Sequence, residues 1–483
     1  MAHLGEAIEY DRESTPKLHT LQQAGINPFP DFIDDHQRTP IATVIDDHKN
    51  FKHFLNDGDN EQFAYTIMGR IIARRRQGGV VFLDVEDSPG HERDEKMQVM
   101  VKRDISPDDY DLAMLLDIGD FISATGFIYL PPRKELTIHA RTMRLLSKTV
   151  QSIPDKKESA HGVADPEVRY RHRELDLLGN PHVRQLFRQR AAIVREIRNH
   201  LNDSGYLEVE TPLLQPLAGG SESRPFETYY NSLDRNMVLS LSPEMYINRA
   251  IIGGFERVYS LTRSFRNEGI SRRHNPEFTE LEFMCAYTTN LVLAERVEML
   301  IATAARKGLK KAKITVRGES VDLERSWRRY TLDELLVEHV GKHLADLDPE
   351  EAMTIYTKQI EHKLIQPTFV FNFPIEAFPL CRQIQHEPHL ADHFDGVIGG
   401  IEVVSADMEL NDPVDQRRRF TEQAKDAGGD APAPHDAEYI RALEHGLPPT
   451  AGAAIGIDRL VMLLTEQDTV REVIPFPMLK SAS

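Results

Sequence analysis

Residues 254–287 read GFERVYSLTRSFRNEGISRRHNPEFTELEFMCAY, in which two β-rich runs flank a polar loop. The first run ends at Arg266 and Glu268, and the loop contains the basic stretch 271–274. An arginine fixed at the end of a strand can pair with a phosphate or carboxylate through its planar fork, and Phe278 can stack on a base. A surface ion pair explains any single Arg–Glu pair, but not this density of functional groups. The stretch therefore predicts a hairpin that binds an anionic nucleotide.

Residues 448–465, PPTAGAAIGIDRLVMLLT, pass from small residues into a strongly apolar helix. Glycine and alanine allow close approach of the backbone to a ligand. Arg459 lies at the start of the helix, where its guanidinium is placed to meet a phosphate tail. Many core helices begin in this way, so the segment has functional meaning only beside the first one.

Acidic residues recur between these two segments, at Asp395, Glu402 and Glu409. Carboxylates close to a nucleotide phosphate suit Mg²⁺, which prefers oxygen ligands. Taken singly, each of these residues is typical of a solvated surface.

The N-terminal third has a different sequence pattern, in which turn residues separate short β-rich runs. The runs lie within 64–87, on either side of Gly78-Gly79, and at 97–102, 121–128 and 136–144. This pattern predicts a small β-barrel, with the stretch DSPGHERDE as a solvated hairpin tip.

Changes in residue composition mark the boundaries of the other expected segments. The charged start contains short apolar helical stretches, and the polar run IPDKKESAHGVADPE at 153–167 predicts a linker. The segment AKDAGGDAPAPHD at 424–436 predicts an exposed loop. We expect a helical extension, a barrel, a linker and a large mixed domain, at 1–60, 61–150, 151–168 and 169–483.

The overall charge limits the classes of protein. The chain has 58 basic and 76 acidic residues and a net charge of −18, which argues against a general nucleic-acid coat protein but does not exclude a local basic face. Two cysteines, Cys285 and Cys381, exclude a disulfide framework and a cysteine-zinc site. The sequence contains neither a secretory signal nor an apolar run that could span a membrane, so we expect a soluble, cytoplasmic protein.

Several long segments resemble those of class II aminoacyl-tRNA synthetases, and closely the bacterial-type lysyl-tRNA synthetases. They are RYRHRELDLL (169–178), EVETPLLQ (208–215), AGGSESRPFETYYNSLD (218–234), LSPEMYINR (241–249), the stretch 253–283, IQPTF (365–369), ELNDPVDQ (409–416) and EHGLPPTAG with GIDRLVMLL (444–464). EVETP, FRNE and GIDR resemble the three motifs of that class. The resemblance implies an α+β protein with an N-terminal OB-fold barrel that reads an anticodon. It also implies an antiparallel-sheet catalytic domain that forms a homodimer.

The resemblance further implies a two-step reaction that uses ATP and Mg²⁺. An amino-acid carboxylate attacks the α-phosphorus of ATP, and a tRNA hydroxyl then takes the acyl group from the adenylate. By motif match, Arg266 bridges the α-phosphate and the substrate carboxylate, and Glu268 belongs to the same catalytic motif. The other matched positions are Arg273 and His274 for the ATP tail, Phe278 for adenine, Arg459 for the γ-phosphate, and Asp395 and Glu402 for Mg²⁺. Asp395 is shorter than the family's usual glutamate.

The amino-acid pocket implied by the same match departs from the family in places. Gly220, Glu244, Glu282 and Glu409 match positions that hold lysine, and paired carboxylates suit its ε-ammonium. The departures are Met284 for a tyrosine, Ser405-Ala406-Asp407-Met408 for Asn-Gly-Phe-Ser, and Ala454 for a glycine. Asp407 places a negative charge where the family has an aromatic wall, which is costly unless a cation or donor meets it.

The barrel matches the family's anticodon contacts in part. Phe82 matches an aromatic that stacks on a base, and Glu135 matches a further contact. Glu86 takes the position that we assign to a family glutamine, and an ionised carboxylate can only accept hydrogen bonds. Arg74, Arg75 and Arg76 would supply positive charge for the RNA backbone.

Two alternatives to a lysine enzyme stay open at this point. One is a paralogue that activates a lysine analogue or β-amino acid, for tRNA or for another acceptor. The other is a catalytically silent RNA-binding or regulatory protein on the same fold, against which the intact set of Arg266, Glu268, Phe278 and Arg459 weighs.

Overall fold

A computed structural model describes residues 14–31, 38–51, 58–88, 95–130, 135–151, 164–221, 223–426 and 437–480. The chain divides between residues 163 and 164 into two compact units. Most of the expected linker, the tip of the expected barrel hairpin and most of the expected loop at 424–436 lie outside the described residues. Among the described residues, no helix is both long and apolar enough to cross a membrane.

The N-terminal unit contains a closed five-stranded barrel with the strand order β1-β2-β3-β5-β4. Its elements are α1 (Ser14–Gln23), α2 (Ile41–Phe51), β1 (Gly58–Gln77), β2 (Val80–Asp87), β3 (Glu95–Lys102), α3 (Pro107–Leu115), β4 (Phe121–Leu130) and β5 (Thr137–Ser147). The pairing is antiparallel except between β3 and β5. The expectation of a barrel is confirmed.

The barrel core follows from the two-residue period of its strands. On β2, Val81, Leu83 and Val85 are fully buried, while the alternate residues lie on the outer face. Leu21 of α1 and Ile41 of α2 belong to the same buried cluster, so these two helices complete the barrel core.

The C-terminal unit has many short elements around one large sheet. They are α4 (Pro166–Arg171), α5 (Arg173–Gly179), α6 (Pro181–Asp203), β6 (Leu207–Glu208), β7 (Leu214–Gln215), β8 (Glu227–Tyr230), β9 (Arg235–Leu239), α7 (Glu244–Ile252), β10 (Arg257–Phe265), β11 (Glu277–Ala286), α8 (Asn290–Thr303), β12 (Lys313–Val316), β13 (Glu319–Asp322), β14 (Arg328–Thr331), α9 (Leu332–Val340), α10 (Pro349–Ile355), β15 (Thr368–Pro374), β16 (Gln383–Ile384), β17 (Glu387–Ile398), β18 (Ile401–Met408), α11 (Pro413–Asp426), α12 (Ala437–Leu443), β19 (Thr450–Gly456), α13 (Ile457–Leu464) and α14 (Val470–Val473).

The large sheet has the strand order β14-β15-β17-β18-β19-β11-β10-β6, with β16 added beside β17. Its pairs are antiparallel except at the two ends, where β6 runs parallel to β10 and β14 parallel to β15. This is the antiparallel-dominated sheet that the family resemblance implies.

One face of this sheet packs on helices and the other faces a cavity. Apolar residues of α6, α8 and α13 form a single core with alternate residues of the central strands, such as Phe283 of β11 and Ala453 of β19. The intervening residues, including Glu282 and Ala454, line the cavity on the opposite face. The period of the strands therefore separates core residues from site residues along the same segments.

Candidate active site

A cavity of about 1170 Å³ covers the central strands β18, β19, β11 and the end of β10. It contains most of the residues selected from the sequence. These are Gly220, Glu244, Arg266, Glu268, Arg273, His274, Phe278, Glu282, Glu402, Ser405, Asp407, Glu409, Ala454 and Arg459. Met284 and Asp395 do not line it.

Arg266 lies directly after β10, at one end of the cavity. Its backbone N–H donates to the Pro276 carbonyl at 2.8 Å, which closes the base of the β10–β11 loop. Its guanidinium carbon lies 5.1 Å from the centre of the Phe278 ring. The buried Nε of Arg266 has no hydrogen-bond partner among the described residues, so the guanidinium retains a donor for a ligand.

Arg459 meets the same loop from the first turn of α13. It donates to the Glu402 carbonyl oxygen at 2.9 Å and lies 2.9 Å from Nε2 of His274. Burial, together with the positive charge of Arg459, lowers the pKa of His274. A neutral imidazole can accept at Nε2, in agreement with this contact. The two arginines selected from separate segments thus line one cavity.

Arg273 and Glu402 both lie close to an acidic residue, Glu361, that the sequence reasoning missed. Glu361 accepts a hydrogen bond from the backbone N–H of Glu402 at 3.2 Å and lies 3.8 Å from the Arg273 guanidinium. Burial raises the pKa of Glu361, and the charges of Glu402 and Asp395 add to the effect. Glu361 precedes the segment IQPTF, and only its position in the fold reveals this contact.

The other end of the cavity is strongly acidic. The Glu282 carboxylate accepts from the Ser242 hydroxyl at 3.0 Å, and Glu409 accepts from the Asn248 amide at 2.8 Å. Burial and mutual repulsion raise the pKa values of Glu244 and Glu282 well above the usual range, and burial raises that of Glu409 to about 8. Without a ligand, these carboxyl groups favour the protonated form. A bound cation would stabilise their ionised form and lower their pKa values.

Asp407 has the cationic partner that its position requires. His393, on the neighbouring strand β17, lies 2.9 Å from Asp407 through Nδ1 and 3.0 Å from Asp395 through Nε2. Burial alone would favour a neutral imidazole, but the two carboxylates raise the pKa of His393 to about 9. The sequence reasoning missed this histidine because only the register of β17 and β18 brings it opposite Asp407.

The placements of Asp395 and Met284 require correction. Asp395 lies behind the cavity wall, only 8% exposed, because its short side chain is held by His393. Met284 is fully buried in an apolar cluster with residues such as Phe420 and Tyr439. Since its side chain is apolar and packs into that cluster, it lies beside the pocket, next to Gly452, and does not line it.

The central strand β19 shapes the pocket through small residues. A Cβ atom on Gly452 would lie 2.5 Å from the Glu409 carboxylate and 3.0 Å from Cγ of Met284, so a side chain at this position would displace that carboxylate. Ala454 pairs with Ser405 on one side and with Glu282 on the other. Gly220 adopts a φ of 77°, a conformation that favours glycine. The sequence reasoning did not select Gly452 for the pocket, although it recognised the run of small residues in which Gly452 lies.

The predicted RNA contacts lie on both faces of the barrel strands: Arg75 pairs with Phe82 on the outer face, whereas Arg74 and Arg76 pair with the buried Leu83 and Val81. Phe82 is half-buried on β2, and Glu135 is exposed. Arg74 donates to the carbonyls of Leu116 and Met114, so part of its guanidinium serves the barrel itself. Arg75 pairs with Asp84 at 3.1 Å.

The register of the barrel strands brings a glutamine, Gln98, closer to Phe82 than the expected Glu86. Phe82 pairs with Met100 on β3, and Gln98, two residues earlier on β3, shares that face. Glu86 is four residues from Phe82 along β2, about 13 Å away in an extended strand. Gln98, which the sequence reasoning missed, is therefore the polar side chain nearer to the aromatic ring.

Comparison with known proteins agrees with this architecture. The family described as tRNA synthetases class II (D, K and N) matches residues 165–480, and an OB-fold nucleic acid binding domain matches residues 65–146. The lysine–tRNA ligase of Thermoanaerobacter sp. (strain X514) is 39% identical over 99% of this chain and 96% of its own length. The lysine–tRNA ligase of Syntrophomonas wolfei is 39% identical over 97% of this chain and 96% of its own length. That of Nostoc sp. is 39% identical over 96% of this chain and 86% of its own length. The chain therefore belongs to the lysine–tRNA ligase family of class II tRNA synthetases.

Proposed function

We propose that this protein is an ATP-dependent lysine–tRNA ligase. The observation that supports this most directly is the arrangement of one cavity, with Arg266 and Arg459 at one end and buried carboxylates at the other. Lysine carries a carboxylate for the first end and an ammonium for the second. An analogue-specific paralogue is less favoured, because the relatives named above are lysine–tRNA ligases. A silent RNA-binding protein is less favoured, because both the arginines and the buried carboxylates line the cavity.

In the first step, a carboxylate oxygen of lysine attacks the α-phosphorus of ATP. The bond to the β-phosphate oxygen breaks, and pyrophosphate leaves. Arg266 binds the α-phosphate and the substrate carboxylate, which brings the two anions together and stabilises the charge that develops on the phosphorus. Phe278 stacks on adenine, Arg273 and His274 bind the phosphate tail, and Arg459 binds its γ-phosphate end.

Glu402, whose side chain lines the cavity, would hold Mg²⁺ on the phosphates. A carboxylate suits this ion, which usually takes one or two protein carboxylates together with phosphate oxygens and water. Asp395, the other position that the resemblance implies, lies behind the cavity wall and is held by His393, so it does not reach the ion in this arrangement. Within the described residues, no three His, Cys, Asp or Glu side chains converge to form a metal cage of their own. When bound, the ion supplies charge neutralisation to the triphosphate.

At the acidic end, Glu244 and Glu409 bind the ε-ammonium of lysine, and Glu282 and the Gly220 backbone orient the α-amino group. A buried ammonium requires carboxylate partners, and binding of the cation lets the carboxyl groups ionise. In the second step, a hydroxyl of the terminal adenosine of tRNA attacks the acyl carbon, and AMP leaves.

The barrel recognises the tRNA in this proposal. Phe82 stacks on one anticodon base, and Gln98 offers both a donor and an acceptor to a base edge. Glu86, Glu135 and the arginines at 74–76 contact the surrounding RNA.

A second copy of the chain covers an apolar surface of the catalytic unit. Leu207 of the edge strand β6 is 45% exposed, Tyr229 50% and Leu233 57%. An unpaired strand edge and exposed apolar side chains each favour association, and we propose a homodimer that acts in the cytoplasm. Sedimentation of the full chain and of Leu233→Glu tests this, since the substitution is expected to shift the protein to monomer.

Pyrophosphate exchange with the full chain tests the proposed activity. We expect exchange with lysine and weaker or no exchange with ornithine, arginine and β-lysine. Arg266→Lys is expected to lower the exchange rate by about 100-fold, because an ammonium cannot reproduce the planar fork. Arg263→Lys is the control, because it changes a half-exposed arginine near Glu277 on the strand that precedes Arg266. Exchange with an analogue but not with lysine would support the paralogue, and no exchange with retained tRNA binding would support the silent protein.

A further inference from the structure

Arg190 interrupts the apolar face of α6. Leu186, Ile193, Ile197 and Leu201 of this helix belong to the core that packs against the large sheet, and Arg190 shares their helical face. Its side chain is only 13% exposed. A guanidinium in such a place costs free energy unless charged and polar partners meet it, and an apolar side chain would fill the space at least as well. Packing alone therefore does not account for an arginine here.

The partners of Arg190 lie on two other elements, and both line the cavity. Its Nη2 atom donates to the Thr279 hydroxyl of β11 at 3.1 Å and lies 2.7 Å from Oδ1 of Asp458, in the first turn of α13. That oxygen accepts no hydrogen bond from the described residues, so the approach is an ion pair. Oδ2 of Asp458 accepts from the backbone N–H of Thr279 at 2.9 Å. The three residues thus form a closed set of contacts among α6, β11 and α13.

The contact between Asp458 and Thr279 continues the sheet beyond the end of its backbone pairing. β11 and β19 pair as far as Glu280 and Gly456, and the chain then turns into α13. Beyond that point the Asp458 carboxylate, instead of a strand carbonyl, accepts from the N–H of β11. The spacing between the end of β11 and the start of α13 therefore depends on the orientation of one buried side chain.

Each side of this contact is next to a residue of the proposed ATP site. Phe278, which precedes Thr279, stacks on adenine in the proposed function, and Arg459, which follows Asp458, binds the γ-phosphate end. We propose that Arg190 is a positioning residue that fixes the distance between these two ends of the ATP site, because it holds the Asp458 carboxylate against Thr279. The inference rests on the proposed function. Arg190 does not line the cavity, so it acts only through its two partners.

Ligands that use one end or both ends of the site separate positioning from direct binding. AMP uses the adenine end, inorganic tripolyphosphate uses the phosphate end, and a non-hydrolysable ATP analogue uses both at a fixed separation. An incorrect spacing should weaken only the ligand that spans it. Arg190→Met should therefore lower the affinity for the ATP analogue about tenfold, and leave the affinities for AMP, tripolyphosphate and lysine within about twofold of the wild type.

Calorimetric titration of the full chain in Mg²⁺ buffer measures the four affinities, with competition for the weaker ligands. Asp458→Asn is a second test, because the amide keeps an acceptor for the Thr279 N–H but loses the ion pair with Arg190, and we expect the same selective loss. Arg195→Met, which changes a half-exposed arginine on the same helix, is the matched control. Thermal unfolding checks that each variant is folded, and Asp458→Asn decides the matter if Arg190→Met does not fold.

Two results would overturn the proposal. One is a folded Arg190→Met variant whose affinity for the ATP analogue is within about twofold of the wild type. The other is an equal loss for all four ligands, which would indicate a general packing role of Arg190. If the wild type bound neither lysine nor the ATP analogue, the proposed function itself would fail, and this inference with it.

Discussion

The guanidinium of Arg459 contacts Nε2 of His274 at 2.9 Å, although 185 residues separate the two along the chain. The same guanidinium donates to the Glu402 carbonyl. One planar group thus ties the β10–β11 loop to α13 and to β18. The contact gives the proposed ATP site a fixed end before any ligand enters.

Arg459→Lys should therefore weaken ATP binding. A lysine ammonium cannot serve His274, Glu402 and a phosphate with the same planar geometry, and we expect a loss of about 100-fold in kcat/KM for ATP. Steady-state pyrophosphate exchange measures this. Arg306→Lys, at a largely exposed arginine near Glu324, should leave the value unchanged. An unchanged ATP dependence in Arg459→Lys would contradict the assignment of this residue.

Lysine binding should release protons near neutral pH. Glu409 has a pKa of about 8 in the free protein because of burial, and a bound ammonium lowers it. Affinity for lysine should therefore rise from pH 6 to about pH 8 and then level off. Calorimetry in two buffers of different ionisation enthalpy counts the protons. Glu409→Gln should reduce the release and weaken lysine binding, whereas Glu295→Gln on an exposed helix face should do neither.

The same carboxyl groups predict how stability depends on pH. Their folded pKa values lie above the unfolded ones, so the folded protein binds more protons than the unfolded chain. Without lysine, their contribution to the free energy of unfolding is greatest below pH 4.5 and declines as pH rises towards about 8. Added lysine should oppose this decline. A lysine effect on the unfolding midpoint that is equal at pH 5 and pH 8 would contradict the argument.

Gly452→Ala should impair the amino-acid pocket selectively. The new methyl carbon would lie 2.5 Å from a Glu409 oxygen, so the carboxylate must move. We expect KM for lysine to rise by at least about tenfold, with a much smaller change in KM for ATP. Gly79→Ala, where the added atom would be 3.8 Å from Arg103, is the control for the substitution itself. Parallel increases in both KM values would indicate a general disturbance of the fold.

Arg173→Met should destabilise the catalytic unit. The fully buried Arg173 guanidinium pairs with Asp176 at 2.6 Å and donates to the carbonyls of Pro475 and Arg471. Its removal takes one donor from the buried Asp176 carboxylate, which keeps those of Arg169 and Asn180, and leaves the two carbonyls without this donor, at a cost of about 1–3 kcal/mol. Urea unfolding of the full chain measures the change. Arg195→Met, at a half-exposed position, should alter stability by less than about 0.5 kcal/mol.

The nucleotide end of the site was predictable from the sequence because its residues lie in compact segments. Arg266 follows a β-rich run, and Arg459 begins an apolar helix, so local patterns place both. The strand runs of the barrel were equally visible, because buried and outward residues alternate.

The remaining errors come from cross-strand register, which one sequence does not contain. His393 meets Asp407 only because β17 and β18 pair in that register, and Gln98 lies near Phe82 for the same reason. Met284 was assigned to the pocket by its match to a family tyrosine, and it does share a face of β11 with Glu282, but on that face it lies in the apolar cluster beside the cavity. Packing with Phe420 and Tyr439 keeps Met284 in the core.

The small residues of β19 offer a means of redesign. Gly452 and Ala454 lie on a strand between the acid-bearing strands β11 and β18, and both line the cavity. Exchange of Ala454 for glycine would make room for one more methyl-sized group and leave every carboxylate in place. Longer or branched non-natural substrates for protein labelling could thus be accommodated from the floor of the pocket, without alteration of the groups that recognise charge.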